Sequence, residues 1–105
     1  MKIHLKATNI DLTEPLKVYV EEKLGGLEKF IGRWDVEGAV ELWAEVGRTT
    51  RHHKKGDVFM AEADLRLPGK VLRAEDEDFD VRVAIDRVRE KLERDIKKYK
   101  DKSDR

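Results

Sequence analysis

The sequence predicts a two-layer α+β domain of element order β-α-β-β-β-α, in which one four-stranded sheet carries two helices on one face. Three observations lead to this prediction. Apolar and polar residues alternate in several segments, which is typical of half-buried strands. Apolar residues recur at helical spacing in two other segments. The 105 residues leave room for one core, so we expect a single domain over residues 1–100 and a frayed tail over residues 101–105.

The first half of the chain is expected to form a strand, a helix and a second strand. Residues 2–7 alternate between apolar and polar side chains and predict the first strand. Thr13, followed closely by Pro15, is typical of a helix start, because threonine caps free amide groups and proline fits the first turn. The pair Gly25-Gly26 is expected to bend or interrupt this helix. Residues 36–46 alternate again and predict the second strand.

The second half is expected to form a β-hairpin, a short strand and a long helix. Residues 58–67 and 71–75 predict the last two strands, joined by a tight proline-glycine turn. Residues 47–57 lie between the second and third strands and are expected to form a basic loop. The acidic run over residues 75–80 is expected to place carboxylates at the start of the last helix, against the positive end of its dipole.

The last helix carries basic residues in one line. Arg87, Lys91, Arg94 and Lys98 are spaced so that all four project from one side of an α-helix. The apolar stripe of this helix lies roughly 120° away and comprises Val81, Ala84, Ile85, Val88, Leu92, Ile96 and Tyr99. The formal net charge of the chain is zero, so the line reflects sorting of charge. Such a line favours binding to an anionic polymer, and a solvated, salt-bridged face is the alternative.

The expected loop and the outer sheet face bear on the mode of binding. Arg51, Lys54 and Lys55 belong to the loop and are further candidate contacts, with a soluble hairpin tip as the alternative. The outer sheet face is predicted to be acidic, with Glu37, Glu41, Glu45, Glu62 and Asp64. A sheet that stacks nucleobases has aromatic residues among cations. We therefore expect helix flanks and loops to contact an RNA backbone, and Trp43 to serve in sheet packing or a dimer contact.

The residue inventory argues against an enzyme, a metal site and a cofactor. The chain contains no cysteine, and its one serine is Ser103, so nucleophilic acyl transfer has no plausible centre. His52 and His53 are adjacent, and neighbouring side chains of a strand-like segment point apart, which disfavours a shared metal. No glycine-rich phosphate motif is present, and no apolar run approaches the ~20 residues that cross a membrane. We expect neither a small-molecule substrate nor a membrane partner.

The composition resembles that of heat-adapted proteins. Charged residues make up 44% of the chain, which has no glutamine or cysteine and a single asparagine, Asn9. Thermophilic proteins are enriched in Glu and Lys and poor in thermolabile residues. We therefore expect a heat-adapted source and a thermal unfolding midpoint above the mesophile range of roughly 45–65 °C.

Two sets of residues resemble the ribosome hibernation-promoting factor family, which includes ribosome-associated inhibitors and sigma-factor modulation proteins. At the front, residues 7–14 are similar to the family's entry from strand to helix, and residues 19–24 and 27–30 to the helix that follows. At the back, residues 84–86 and 91–102 resemble its signature helix. The likeness covers nearly the whole chain and implies the same β-α-β-β-β-α fold, as a short form or an N-terminal domain of a longer one.

The resemblance implies a cytoplasmic, stress-linked factor that binds the small ribosomal subunit. Such factors occupy the channel used by messenger RNA and transfer RNA, contact ribosomal RNA (rRNA) and inhibit translation. Lys91, Arg94, Lys98 and Lys100 occupy basic positions of the family's last helix. Basic positions of its first helix are taken by Lys23 and Lys29. Together with Arg87 and the loop cations, these are the candidate rRNA contacts, and we expect a monomer in the absence of the ribosome.

Two other function classes stay open at this point. A generic double-stranded-RNA-binding module has a similar order of strands and helices, and would bind any duplex in a length-dependent way. A module that modulates a transcription factor would use an apolar interface. Binding through phosphates weakens steeply as salt rises, whereas an apolar protein interface does not, so a salt series separates these classes.

Overall fold

The computed structural model describes residues 1–53 and 56–103. The strands and helices follow the predicted order: β1 (Lys2–Thr8), α1 (Glu14–Gly25), α2 (Glu28–Ile31), β2 (Glu41–His53), β3 (Gly56–Leu67), β4 (Lys70–Asp78) and α3 (Val81–Ser103). The four strands form one mixed sheet in the order β1-β2-β3-β4. Strands β1 and β2 run parallel, while the other two pairs run antiparallel. The predicted α+β fold class is confirmed.

The first helix begins and ends as its sequence predicts. The Thr13 hydroxyl oxygen accepts a hydrogen bond from the Leu16 amide nitrogen at 3.4 Å, which satisfies one of the free amide groups at the helix start. The helix ends at Gly25, and the chain resumes helical structure only at Glu28. The glycine pair therefore interrupts the helix, and the short α2 redirects the chain towards the end of α3.

The core lies between the sheet and the helices. The helix-facing side chains of the sheet alternate along the strands, as Leu42, Ala44 and Val46 do in β2, and all three are buried. From α3, the core receives Ala84, Ile85, Val88, Leu92 and Ile96, which are the central members of the predicted stripe. Complete burial of a side chain such as Leu92 contributes about 1.5–3 kcal/mol relative to exposure. Burial of this stripe fixes which sides of α3 remain available to a partner.

The second strand begins later than predicted. Residues 36–38 form a 3-10 turn, and β2 starts at Glu41. Val36 is 66% exposed, and residues 36–40 precede the strand. The prediction that these residues belong to the second strand is therefore wrong, as is the prediction that Glu37 belongs to the outer sheet face. Glu37 and Gly38 both have positive φ angles, of 56° and 74°, which a strand does not tolerate. The apolar alternation over residues 36–40 is therefore not a strand signal.

The predicted basic loop over residues 47–57 is mostly strand. Strand β2 continues to His53 and β3 starts at Gly56, with a register irregularity between Arg48 and His52. Because Arg48 and Thr50 are polar and exposed, this part of the hairpin lacks the apolar alternation by which strands are recognised. At the other end of the chain, α3 continues to Ser103, so the helix extends past residue 100, where we expected the tail to begin.

The edge strand β1 is held closely against β2 and the turn region. A Cβ atom at Gly47 would lie 2.5 Å from the carbonyl oxygen of Thr8, so only glycine allows this approach of the two strands. The N-terminal amine of Met1 pairs with the carboxylates of Asp35 and, at 3.3 Å, Glu28. The hydrogen bond to Asp35 is the main cause that raises the pKa of this amine. These contacts tie the start of the sheet to the segment after α2.

Candidate nucleic-acid interface

The buried stripe divides the exposed surface of α3 into two flanks. We call the flank beside the last strand the β4-side flank; its basic residues are Arg87, Lys91, Arg94, Lys98 and Lys102. The α1-side flank carries the charged residues Arg82, Asp86, Arg89, Lys97 and Lys100. The predicted line of cations is therefore the β4-side flank, which extends one turn further to Lys102.

The first two cations of the β4-side flank are paired with carboxylates of β4. Lys91 Nζ lies 3.0 Å from Asp76 Oδ2 and also donates to the Glu75 carbonyl oxygen at 2.7 Å. Arg87 Nη1 lies 3.3 Å from Asp78 Oδ1 and 3.7 Å from Asp76 Oδ1. These pairs neutralise the helix cations within the protein, so the first half of the line offers little free positive charge.

The acidic partners of Arg87 and Lys91 come from the alternation of β4. The strand runs to Asp78 rather than ending near residue 75, and Asp76 and Asp78 share the parity of the buried Leu72 and Ala74. Their side chains therefore extend towards the helix layer, where α3 passes. The prediction placed these carboxylates at the start of α3; of the acidic run, Asp80 does so, accepting a hydrogen bond from the Arg82 amide nitrogen at 2.9 Å.

The pKa of the Asp76 carboxyl reflects this pairing. Burial is the largest single influence and raises the pKa. The hydrogen bond from Lys91, the hydrogen bond from the Glu77 amide and the charges of Lys91 and Arg87 act in the opposite direction and prevail, so the pKa lies below its usual value. The carboxylate is thus ionised at neutral pH and holds its cations in place.

The second half of the β4-side flank is not neutralised. Within residues 1–53 and 56–103, no carboxylate oxygen lies within 4.0 Å of the charged groups of Arg94, Lys98 or Lys102. Lys98 and Lys102 line an open groove between α3 and the start of β4, together with Lys70, Arg73 and one carboxylate, Asp95. Of these cations, Arg73 is paired with Asp64 on the outer sheet face. Sequence reasoning missed Lys70, because a turn residue 28 positions before Lys98 gives no sign that the two will share a groove.

The N-terminal half of the α1-side flank is also compensated. Asp86 accepts a hydrogen bond from the Tyr19 hydroxyl at 2.6 Å and lies 3.5 Å from Lys23 Nζ. Burial, followed by this hydrogen bond to Asp86, raises the pKa of Tyr19 to about 12. Arg89 donates to the carbonyl oxygen of Lys23 at 3.0 Å, so it ties α3 to α1. The predicted contact Lys23 therefore already has an acidic partner.

The C-terminal half of that flank brings together candidates from both helices. Lys29 Nζ and Lys100 Nζ lie 5.1 Å and 5.9 Å from the ring centre of Phe30. Lys97, which is not among the contacts predicted from the sequence, lies with its Nζ 6.0 Å from the centre of the same ring. Predicted contacts 71 positions apart, Lys29 and Lys100, thus share one surface, and Lys97 joins them because one turn of α3 separates it from Lys100 in space.

The remaining predicted contacts belong to the hairpin. The backbone of Arg51 is part of β2, far along the strand from the residues that pair with β1. Lys54 and Lys55 lie outside the described residues. Arg48, at the same end, is paired with Asp57, with 3.3 Å between Nε and Oδ2. In the described part of the chain, no contact joins Arg48 to the cations of α3.

The outer sheet face is acidic, as the sequence predicts. Glu45, Glu62 and Glu75 are direct neighbours across three strands. Burial, and then the charges of Glu45, Glu75 and Asp64, raise the pKa of Glu62. Trp43 packs on this face, stacked on His4 with 3.8 Å between ring centres. The carboxylates of this face disfavour phosphate, although Lys2, Lys6 and Arg66 also lie on it.

Two further properties concern membranes and metals. In the part of the chain that the structure describes, none of the helices combines the length and apolarity that crossing a bilayer requires. Those same residues bring no three His, Cys, Asp or Glu side chains together in a way that could hold a metal ion.

Comparison with known proteins agrees with the fold and the resemblance. The chain is 35% identical over 107 residues to the ribosome hibernation promotion factor of Lactococcus lactis, covering all of this chain and 52% of that protein. It is 32% identical to the factor of the same name from Deinococcus radiodurans, covering 91% of this chain and 47% of the relative. The chain thus spans about half the length of these relatives.

A solved structure shows the same architecture. The N-terminal domain of Thermus thermophilus Protein Y superposes with a TM-score of 0.72 at 27% identity, covering 94% of this chain and 99% of that one. Residues 3–104 match the family described as Sigma 54 modulation protein / S30EA ribosomal protein. A match over nearly the whole chain, together with relatives above 30% identity, identifies the chain as a member of this family.

Proposed function

We propose that the protein is a ribosome hibernation factor that binds the small ribosomal subunit in the channel for messenger and transfer RNA. It inhibits translation there, under stress or in stationary phase, and acts in the cytoplasm by occupying a site, without catalysis. The names of its relatives support a ribosomal role. The observation that carries the RNA contact is the set of uncompensated cations at the C-terminal half of α3.

This set has the properties of a surface for an RNA backbone. Arg94, Lys98 and Lys102 are exposed, follow one another along a rigid helix and continue into the groove with Lys70. Phosphates attract such unpaired cations without reading base sequence, and binding releases counterions. A cation that already has a carboxylate partner contributes less binding free energy. Either the ion pair must break, or the carboxylate remains near the phosphate and repels it.

The candidate contacts therefore differ in weight. We assign the main contacts to Arg94, Lys98, Lys100 and Lys29. Arg87, Lys91 and Lys23 are supporting contacts, since each holds a carboxylate within the protein. Arg51, Lys54 and Lys55 stay proposed contacts of the hairpin.

Competition on purified small subunits tests the function. We expect the protein to displace messenger RNA and initiator transfer RNA as its concentration rises, because all three use the same channel. Simultaneous binding of all three at full occupancy would contradict the proposal. A generic RNA duplex, offered as competitor, serves as the control. Equal affinity for that duplex and for the subunit would favour a double-stranded-RNA-binding module instead.

A further inference from the structure

Two aromatic rings and four cations meet where the segment after α1 reaches the end of α3. The rings belong to Phe30 and Trp34, and both are half-buried. The cations are Lys29 and Arg33 from the first segment and Lys97 and Lys100 from α3. We call these six residues the aromatic–basic cluster. Lys29 and Lys100 are among the proposed main rRNA contacts, but binding of phosphates gives no role to the two aromatic rings.

The geometry of the cluster places charge around exposed ring surface. The guanidinium carbon of Arg33 lies 4.4 Å from the centre of the Trp34 ring, and Lys100 Nζ lies 6.0 Å from it. Tyr99 meets the same ring edge-on, at 4.9 Å and 61°, and thereby fixes the indole. Arg33 is exposed and Trp34 is half-buried, so the side chain that covers this face of the indole lies at the surface of the protein.

The ring of Tyr19 also has cations nearby, but one of these cations has a carboxylate partner within the protein. Tyr19 has Lys23 at 5.7 Å and Arg82 at 5.4 Å, but Asp86 lies against both Tyr19 and Lys23. By contrast, in the described chain no carboxylate oxygen approaches within 4.0 Å of the ammonium groups of Lys29, Lys97 or Lys100. The positive charge beside Tyr19 is thus compensated by Asp86 within the protein. The positive charge around Phe30 is available to bind an anionic ligand.

A ligand that satisfies the cluster needs negative charge and a flat π surface together. A nucleotide has both, and unpaired bases stack on aromatic rings and on arginine guanidinium planes. On the outer sheet face, Arg66 also lies over an aromatic ring, 4.8 Å from the ring centre of Trp43. That tryptophan stands among carboxylates, since its indole donates to Glu41 and its strand partner is Asp64. The cluster would bind unpaired bases, whereas the β4-side flank would bind the phosphates of the RNA backbone.

We propose that the aromatic–basic cluster binds an unpaired nucleotide of single-stranded RNA. The Arg33 side chain, whose guanidinium carbon lies 4.4 Å from the Trp34 ring centre, moves outward so that the base stacks between the guanidinium and the indole. The lysines hold the adjoining phosphates. The proposal rests on the proposed function, in that RNA is the partner, and deepens it by adding a stacking site to a backbone-binding surface. No covalent step is involved.

The test compares two probes with equal phosphate charge. One is a fluorescently labelled octamer of uridine, and the other is an abasic ribose-phosphate octamer. We expect the protein to bind the uridine octamer about tenfold more tightly than the abasic octamer, in the range of one stacking contact. The variant Trp34→Leu should lose this preference and bind both probes alike, while Trp34→Phe should keep affinity for the uridine octamer within about threefold of the unmodified protein.

Trp43→Leu is the matched control, because it removes the chain's other tryptophan from the acidic sheet face. It should leave the preference unchanged. A direct signal comes from Trp43→Phe, in which Trp34 is the sole tryptophan: stacking of the base should quench its fluorescence with the uridine octamer and not with the abasic one. This readout needs no change in the cluster, so it decides the matter even if Trp34→Leu fails to fold.

Several results would overturn the stacking site. These are equal binding of the two probes by the unmodified protein, an unchanged preference in folded Trp34→Leu, or quenching by the abasic octamer. Equal binding of an oligoglutamate of the same charge would show a general anion surface and would also count against it. Binding to small subunits is measured separately: its absence contradicts the proposed function, while the octamer assay still decides on the cluster.

Discussion

The two halves of α3 carry similar cations and face different surroundings. In the first half, Arg87 and Lys91 are held by the carboxylates of Asp76 and Asp78. In the second half, Lys98 lines a groove with Lys70 and Arg73 at the start of the same strand, and no carboxylate oxygen of the described residues lies within 4.0 Å of the charged groups of Arg94 or Lys98. The difference teaches that periodicity locates a line of charge on a helix, while the neighbouring strand decides how much of that charge is free.

The largest effect is expected from neutralising the second half. Arg94→Gln/Lys98→Gln should weaken binding to small subunits at least tenfold at moderate salt, because both side chains are free to contact phosphates. Two lost phosphate contacts should also make the salt dependence shallower by roughly one unit each. Filter binding or sedimentation over a salt series measures both quantities.

The matched control removes the same charge elsewhere. Lys2→Gln/Lys6→Gln changes two exposed lysines of β1 on the outer sheet face. Both variants should fold, since exposed substitutions shift stability by under ~0.5 kcal/mol. If the control loses as much affinity as Arg94→Gln/Lys98→Gln, the effect is one of total charge, and the comparison between the halves of α3 has no bearing on binding.

A smaller effect, on stability, is expected from Asp76→Asn. The folded pKa of Asp76 lies below the usual 3.8, so its ionised form stabilises the fold above that pH, and this stabilisation is lost as pH falls through the lower folded pKa. Since Lys91 is 40% exposed, screening limits the loss at pH 7 to about 1 kcal/mol. Urea unfolding should show the difference from the unmodified protein at pH 7 and little of it at pH 3. An equal difference at both pH values would contradict the ion pairing.

A smaller effect on affinity is expected from neutralising the first half of α3. Arg87→Gln/Lys91→Gln should weaken small-subunit binding by no more than about threefold at the salt used for the second-half variant, since these cations already have partners in the protein. The same binding assay applies. A loss equal to that of Arg94→Gln/Lys98→Gln would show that the carboxylates of β4 release their cations to RNA, and the two halves would then be equivalent.

The smallest effect is expected on stability, from changing Glu62 of the outer sheet face, where neighbouring carboxylates repel one another. Burial and the neighbouring carboxylates raise the folded pKa of Glu62 above 4.5. The free energy of unfolding therefore falls as pH rises from 4.5 to the folded pKa, and it stays lower at higher pH. Glu62→Gln should therefore stabilise the protein at pH 7 by about 0.5 kcal/mol, in the range for like charges facing each other in a sheet. Thermal unfolding at pH 7 and pH 4 checks this, and a gain that persists at pH 4 would contradict the explanation.

Local patterns predict the elements of this fold well and their surroundings poorly. The cap at Thr13 and the core stripe of α3 follow from neighbouring residues alone, and both are confirmed. The ends of β2 and β4 were misjudged, because polar hairpin residues hide a strand that main-chain pairing sustains. Proximity of Asp76 to Lys91 depends on how β4 and α3 pack, which periodicity within one element does not reveal.

The same reason limits prediction of the site. The line on α3 was found because its four residues lie on one element, whereas Lys70 and Trp34 join cations that are distant in sequence. Contacts to RNA by the candidate residues stay predictions, as does the heat-adapted character inferred from composition. A sequence-level signal for the aromatic–basic cluster did exist: aromatic residues next to cations at Lys29-Phe30 and Arg33-Trp34.

The separation of the acidic sheet face from the basic end of α3 has a consequence for how the protein meets its partner. With a formal net charge of zero, the molecule gains no overall pull from a uniform field, but its dipole experiences a torque. Near a polyanion, this torque turns the helix layer forward before contact and shortens the orientational search that slows most associations. The longest dimension of the protein is 49 Å, against a screening length of about 10 Å at 0.1 M salt, so the alignment acts only over the last stretch of the approach.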